Sequence, residues 1–237
     1  MPDQKNTMKK LLLTLLISIF IFSCGDDPTK TMTVSGNIEG LKKGTVYLQH
    51  ILDSVLVTKD SLELDGNGDF KLSTQLESPE IFYLYLSKND NNDVNDRITF
   101  FGEPGAITIN TKWDRFDHDA KIDGSLSNEK LIELKKGISK MNIRNMEMMQ
   151  KATASETPLD SMQLDSINKR GVRNTQLTYA YALNYALINK DSYIAPYIAL
   201  FEVSDANPKY LDSISNSLTP EVANSKYGKI LKERLEN

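Results

Sequence analysis

The sequence predicts an α+β protein, with an N-terminal antiparallel β-sandwich or barrel-like domain followed by a C-terminal helical bundle. Two observations carry this prediction. Short runs of alternating apolar and polar residues, separated by turn residues, fill residues 31–122. From Ser127 onward, apolar residues recur every three or four positions, as they do on one face of a helix. We therefore expect a β domain over residues 31–124 and a helical region over residues 125–237.

Two predicted strands and one turn define the β domain most clearly. Residues 55–64 and 70–76 flank the sequence Asp-Gly-Asn-Gly-Asp at residues 65–69. Glycine, asparagine and aspartate accept the positive φ of a tight turn, so this pattern predicts a β-hairpin. Residues 81–86 are apolar at every position and predict a central strand that is covered on both faces.

The helical region begins with a methionine-rich apolar stripe, which we expect to cover the outer face of the β domain. A second helical stripe extends from Asp160 to about residue 190, and Asn207-Pro208 and Thr219-Pro220 are typical helix starts. Only about three residues separate the last predicted strand from the first stripe, too few for a freely flexing linker. We therefore expect the two halves to pack together. The first stripe consists of Leu131, Leu134, Ile138, Met141 and Met148.

The first two dozen residues resemble a bacterial lipoprotein signal. Lys9 and Lys10 precede an apolar run at residues 11–22, and Ser23-Cys24 follows. We expect residues 1–23 to be a cleaved signal peptide, Cys24 to carry the lipid and residues 24–30 to be a tether. This predicts an outer-membrane lipoprotein that is exposed at the cell surface or faces the periplasm. The alternatives are secretion without lipid and an uncleaved anchor, although the apolar run is short for a membrane span.

Charge and cysteine content limit the possible partners. The first 23 residues carry three lysines and one aspartate, so removing them changes the net charge from −4 to −6. A mildly acidic chain argues against a nucleic-acid partner, which selects for basic patches. Cys24 is the single cysteine, so no internal disulfide can form. The expected partners are the membrane, through the N-terminal lipid, and an unidentified protein or glycan.

No catalytic motif stands out, and the sequence predicts a protein that is not an enzyme and needs no cofactor or metal. His50 and His118 lack the partner spacing of a zinc site. The oxygen-rich residues 89–96 are typical of a solvated loop, with a weak cation site as the alternative. Trp113 and Phe116 are a possible aromatic platform for a sugar or peptide, or else they fill a seam between layers.

The strand-rich half resembles a DUF4369-like domain of unknown function, found at the N-terminus of Bacteroidetes-type lipoproteins. The similarity lies in residues 34–40 (Val-Ser-Gly-Asn-Ile-Glu-Gly), residues 46–48, Asp60-Ser61 and the Glu103-Pro104-Gly105 turn. In that family a thioredoxin-like disulfide reductase domain usually follows the helices. This chain has no Cys-x-x-Cys pair, and dithiol exchange needs two thiols. The resemblance therefore implies the fold without the redox activity.

These observations together predict a non-catalytic, lipid-anchored cell-envelope protein with a binding or scaffolding role. It would be a stand-alone relative of the N-terminal region of thioredoxin-like lipoproteins. Two alternatives stay open. One is a glycan- or peptide-binding surface lipoprotein of a nutrient-capture system, and the other is a hydrolase-type enzyme whose site residues are scattered along the sequence.

Overall fold

A computed structural model of the chain describes residues 27–88, 96–154 and 159–236. The described residues form an α+β fold in which eight strands precede the helices. The strands are β1 (Thr31–Glu39), β2 (Lys43–Leu52), β3 (Val55–Asp65), β4 (Asp69–Gln75), β5 (Glu80–Ser87), β6 (Arg97–Gly102), β7 (Gly105–Lys112) and β8 (Lys121–Asp123). The helices are α1 (Leu126–Thr153), α2 (Ser161–Ile188), α3 (Ile194–Tyr197), a π-helical turn (Ile198–Glu202), α4 (Pro208–Ser217), α5 (Pro220–Ala223) and α6 (Lys226–Glu236).

The strands form two four-stranded sheets packed as a sandwich. Sheet one has the order β4-β1-β7-β8 and sheet two the order β3-β2-β5-β6. Every pairing is antiparallel except that of β1 with β7, which is parallel. The alternation of apolar and polar residues follows the pleat, because successive side chains point to opposite faces. The inner faces bury a core that includes Val34, Ile38, Leu48, Phe70, Leu72, Phe82, Leu84, Phe100 and Ile107.

The predicted hairpin at residues 65–69 is wrong, because this turn connects the two sheets. β3 pairs with β2 in sheet two, whereas β4 pairs with β1 in sheet one. The backbone N–H of Gly66 donates to Lys42 O at 2.9 Å, and that of Ile38 donates to Gly68 O at 2.9 Å. A Cβ atom at position 68 would lie 2.0 Å from Ile38 O. The glycines therefore let the backbone pass close to neighbouring strands where the chain crosses from one sheet to the other.

The tight hairpin of the sandwich lies instead between β2 and β3. Leu52 pairs with Val55, and the two intervening residues Asp53 and Ser54 have φ angles of 47° and 69°. Two successive residues at positive φ are the signature of the hairpin turn that matches strand twist. This turn was not predicted from the sequence, because Asp53 and Ser54 include no glycine or asparagine.

The expected central strand at residues 81–86 is present as β5, between β2 and β6. Its two faces have different partners. Phe82, Leu84 and Leu86 point into the sandwich core. Ile81, on the opposite face, belongs to a second core between sheet two and the helices. The chain therefore has three layers, namely sheet one, sheet two and the helices.

The methionine-rich stripe covers the sheet through its first residues, but not along its whole length as predicted. Leu131 and Leu134 are buried in the second core, but Ile138 and Met141 are only half-buried and Met148 is 41% exposed. A helix of 28 residues is about 42 Å long, and its later turns pair with α2, for example through Asn142 and Asn174. Residues 194–203 and α6 also contribute to the cover over sheet two, including Ile194, Ile198, Val203, Tyr227 and Leu231.

The two predicted proline-containing helix starts are observed. Asn207 Oδ1 accepts a hydrogen bond from Lys209 N at 3.0 Å at the start of α4. Thr219 precedes α5, with Pro220 in its first turn. Along the described ranges, no helix combines the length and apolarity needed to cross a membrane.

Candidate functional site

A cleft of about 490 Å³ opens where the end of sheet two meets the helices. Both halves of the chain contribute to it. Sheet two provides the β2–β3 hairpin and residues of β5 and β6, and the helical region provides the end of α3, the π-helical turn and α6. The lining residues are Ile51, Asp53, Ser54, Glu80, Ile81, Tyr83, Thr99, Tyr197, Phe201, Lys226, Tyr227 and Ile230.

A chain of charged side chains forms one side of the cleft. Glu80, the first residue of β5, accepts from Lys226 Nζ through Oε2, and its Oε1 lies 3.1 Å from His50 Nδ1. Lys226 Nζ also donates to Ile51 O at 2.9 Å. Lys226 is the first residue of α6, and its backbone N–H donates to Ser78 Oγ at 3.0 Å. This network joins the open end of sheet two to α6.

The two buried members of this network contact each other, although the other ring nitrogen of His50, Nε2, has no hydrogen-bond partner among the described residues. Glu80 and His50 are both buried, and the His50 ring stacks on Phe82 with ring centroids 5.2 Å apart. A buried carboxylate is costly unless it is paired and hydrogen-bonded, and Lys226 and His50 meet that need. The arrangement therefore explains how a glutamate is tolerated beneath the cleft.

Aromatic rings form the opposite side of the cleft. Tyr197 and Tyr227 have ring centroids 5.7 Å apart, and Phe201 lies 5.1 Å from Tyr197 and 5.5 Å from Tyr227. The Tyr227 hydroxyl accepts a hydrogen bond from Ile81 N at 3.0 Å. Burial raises the pKa of both tyrosine hydroxyls far above their ordinary value. Both hydroxyls therefore stay neutral at physiological pH.

The cleft has the surface of a binding site. Phe201 is 57% exposed at its rim, and Ile51 and Ile230 are also exposed. Aromatic and aliphatic walls with a few polar groups are the usual lining of ligand pockets. Among the lining residues that the structure describes, no serine or threonine hydroxyl is hydrogen-bonded to a base. The cleft thus offers a ligand an apolar contact surface and one charge pair, formed by Glu80 and Lys226.

The predicted aromatic platform of Trp113 and Phe116 is wrong in its second member. Phe116 is 1% exposed and lies in the sandwich core, where its carbonyl accepts from Thr111 Oγ1 at 2.7 Å. Trp113 is 41% exposed but is held in place: Lys88 Nζ lies 5.7 Å from the ring centroid and donates to Trp113 O at 3.1 Å. The ring also packs against Gly40. Trp113 therefore caps one end of the sandwich.

The other candidate residues from the sequence either make common surface contacts or lie outside the described residues. His118 Nδ1 lies 2.9 Å from Asp119 Oδ1 on an exposed turn. Across residues 27–88, 96–154 and 159–236, no group of three or more His, Cys, Asp or Glu side chains could hold a metal ion. Cys24 and residues 89–95 lie outside the described residues. Asp96, at the end of the latter segment, forms a buried ion pair with Lys88 at 2.6 Å.

Sequence reasoning missed the cleft because its residues are far apart in the chain. Glu80 and Lys226 are separated by 146 positions. Tyr197 is one of several tyrosines at helical spacing in the second half of the sequence, a pattern that usually reflects packing. The one available signal was Glu80, a charged residue next to a wholly apolar strand.

A family model matches residues 32–131, and the family is described as a domain of unknown function, DUF4369. The chain therefore contains a DUF4369-like domain. The match covers the sandwich and ends at Leu131, where α1 begins to pack on sheet two. No curated protein and no solved structure matches this chain. The cleft thus combines residues of the DUF4369-like domain with residues beyond it.

Proposed function

We propose that the protein is a non-catalytic, lipid-anchored binding protein of the cell envelope. Cys24 carries the lipid, and the cleft between sheet two and the helices holds the bound partner. The observation that carries the proposal is the cleft itself, whose apolar walls come from both halves of the chain. A site of this kind binds through burial of aromatic and aliphatic surface, with the charge pair giving orientation.

The charged side chains favour binding over catalysis. A general base must reach the proton that it removes, but His50 is buried, stacks on Phe82 and contacts Glu80. Glu80 is held by both His50 and Lys226. The three groups stabilise the junction, and a hydrolase would need a nucleophile beside one of them.

The anchor is tested by replacing Cys24 with alanine. The variant should move from the membrane fraction to the soluble fraction, because the lipid has no other attachment point. The control is Ser23→Ala, which keeps a small residue before the cysteine and should leave the protein in membranes. Retention of the Cys24→Ala protein in washed membranes would refute the anchor.

The cleft is tested with anilinonaphthalene sulfonate, a fluorescent probe of apolar pockets. Phe201→Ala should weaken probe binding several-fold in a protein that is still folded at the assay temperature, while the loss of its ring contacts with Tyr197 and Tyr227 lowers the melting temperature. Tyr210→Ala is the matched control, because Tyr210 is 56% exposed and lines a separate groove between α2 and α4. Equal effects of the two substitutions would show that the cleft is not the probe's site.

A glycan- or peptide-binding role in nutrient capture is the second candidate, favoured by the exposed Phe201 ring at the cleft rim. Exposed aromatic faces stack on sugars and on apolar side chains alike. Displacement of the bound probe by soluble oligosaccharides or by apolar peptides distinguishes the two ligand classes. Lack of displacement by either class would remove this candidate.

A further inference from the structure

The β2–β3 hairpin presents four aliphatic side chains to solvent around its two-residue turn. Ile51, Leu52, Val55 and Leu56 are all exposed. Single exposed apolar residues are common, but a contiguous exposed group at a turn marks contact with another molecule or a membrane. Asp53 and Ser54, the turn residues, both adopt positive φ.

The four side chains divide between the two faces of the hairpin. Ile51, together with Asp53 and Ser54, lines the cleft. Leu52 and Val55 pair directly across the hairpin. Since alternate residues of a strand share a face, Leu52 lies on the face of the buried His50. The pair of Leu52 and Val55 therefore continues the inner face of sheet two past the end of the sandwich core, on the hairpin face opposite to Ile51. Leu52 is 48% exposed and Val55 62%.

This end of the sandwich is also where the chain enters the fold. Thr31, the first residue of β1, pairs with Gln75 at the end of β4, and Lys30 O accepts from Leu76 N at 2.8 Å. Residues 76–79 then lead directly into β5. The first residues of β5 pair with the end of β2, where Phe82 lies opposite His50. The hairpin and the chain entry are thus at one end.

The proposed lipidation site is close in sequence to this end. Cys24 precedes Asp27, the first described residue, by three positions, which is at most about 11 Å of extended chain. An acyl anchor at Cys24 would hold the hairpin end of the sandwich near the bilayer surface. The opposite end, with the turn at residues 65–69, would face away from it.

We propose that Leu52 and Val55 insert into the boundary between headgroups and acyl chains of the bilayer, beside the acylated Cys24. The inference rests on the proposed lipid anchor. Membrane binding of apolar side chains at this boundary grows with the area that they bury there. The carboxylate of Asp53 stays on the cleft side of the hairpin. This second contact fixes the orientation of the protein on the membrane and keeps the cleft beside its surface.

The experiment uses the full chain, purified from membranes as the processed lipoprotein and reconstituted into vesicles of phosphatidylethanolamine and phosphatidylglycerol. Lipidation consumes the one natural thiol, so Val55→Cys introduces the one site for a nitrobenzoxadiazole maleimide probe. Asn67→Cys is the matched control, because Asn67 is an exposed turn residue at the opposite end of the sandwich. Lipids with a nitroxide near the top of the acyl chain serve as quencher.

The Val55 probe should show blue-shifted emission and several-fold stronger quenching than the Asn67 probe, and Leu52→Cys should behave like Val55→Cys. If the parent chain itself reacts with the maleimide, Cys24 is free and the lipid anchor is refuted together with this inference. If the parent is unreactive but the Val55 and Leu52 probes are quenched no more than the Asn67 probe, the anchor stands and the hairpin contact is overturned.

Discussion

Phe101 is the residue whose removal tests most directly whether the sandwich and the helices form one cooperative unit. It is fully buried on the helix-facing side of β6, and its ring meets Tyr197 and Tyr227 edge-on at centroid distances of 5.8 and 6.1 Å. Its backbone is fixed to the start of α1, since Phe101 N donates to Asn128 Oδ1 at 3.1 Å and Ser125 Oγ donates to Phe101 O at 2.8 Å.

Phe101→Ala should destabilise the whole chain by about 4 kcal/mol. Truncation of a buried phenylalanine costs about 3–5 kcal/mol, and a site that also loses two edge-on ring contacts falls no lower than the middle of that range. The backbone hydrogen bonds to Asn128 and Ser125 are retained. For a chain of this size, 1 kcal/mol corresponds to roughly 2–4 °C in melting temperature, so a fall of roughly 8–16 °C is expected.

Two spectroscopic signals report the two halves separately. Trp113 is the only tryptophan, and it packs on Gly40 and Lys88 at the end of the sandwich remote from the hairpin. Far-ultraviolet circular dichroism is dominated by the helices. In a denaturant titration of Phe101→Ala, both signals should shift together to a lower midpoint. Leu177→Ala, at an exposed position of α2, is the control and should change stability by less than about 0.5 kcal/mol.

A shift of the helical signal alone, with the Trp113 transition unchanged, would refute this reasoning. It would mean that the sandwich folds independently and that the contacts around Phe101 only dock the helices onto it.

Three further predictions concern the turn, the tyrosines and the cysteine. Ser54→Gly should stabilise the protein by about 0.5–1 kcal/mol in thermal melts, because glycine adopts the positive φ without strain; a loss of stability would contradict the turn geometry. Burial and the hydrogen bond to Glu221 raise the pKa of Tyr193 to about 12. The folded-state pKa exceeds the unfolded value near 10, so the stabilisation is complete below pH 10 and is lost as the pH rises towards 12; Tyr193→Phe should remove that part of the alkaline decline. Finally, the chain that begins at Cys24 should not reduce insulin disulfides above a no-protein blank, because turnover through an internal dithiol needs two cysteines.

Much of the fold could be predicted because it depends on local patterns. Alternation identified the strands, and the uninterrupted apolar run at residues 81–86 correctly indicated a strand covered on both faces. Helix starts at Asn207 and Thr219 followed from the proline after each, and at Asn207 also from a capping side chain, features that are decided within one turn of chain. The DUF4369-like character of the first half could likewise be read from its turn glycines and strand residues.

Which strands pair and which elements pack against each other could not be predicted in the same way. The residues at positions 65–69 favour a turn, but whether a turn joins neighbours in one sheet or crosses between sheets depends on which strands pair. The same limit applies to the methionine-rich stripe: its period shows which side of α1 is apolar, but not that Met148 lies beyond the sheet. For the same reason, the sequence could not decide whether Phe116 is exposed as part of a platform or buried between layers.

The sequence by itself determined most of the strands and helices, since these depend on residues close together in the chain, and it holds a single thiol. Only the tertiary structure decided where the candidate site lies. Glu80 and Lys226 meet because β5 begins at the end of the sandwich where α6 also begins. That meeting depends on sheet order and helix packing, which are set by burial summed over the whole chain.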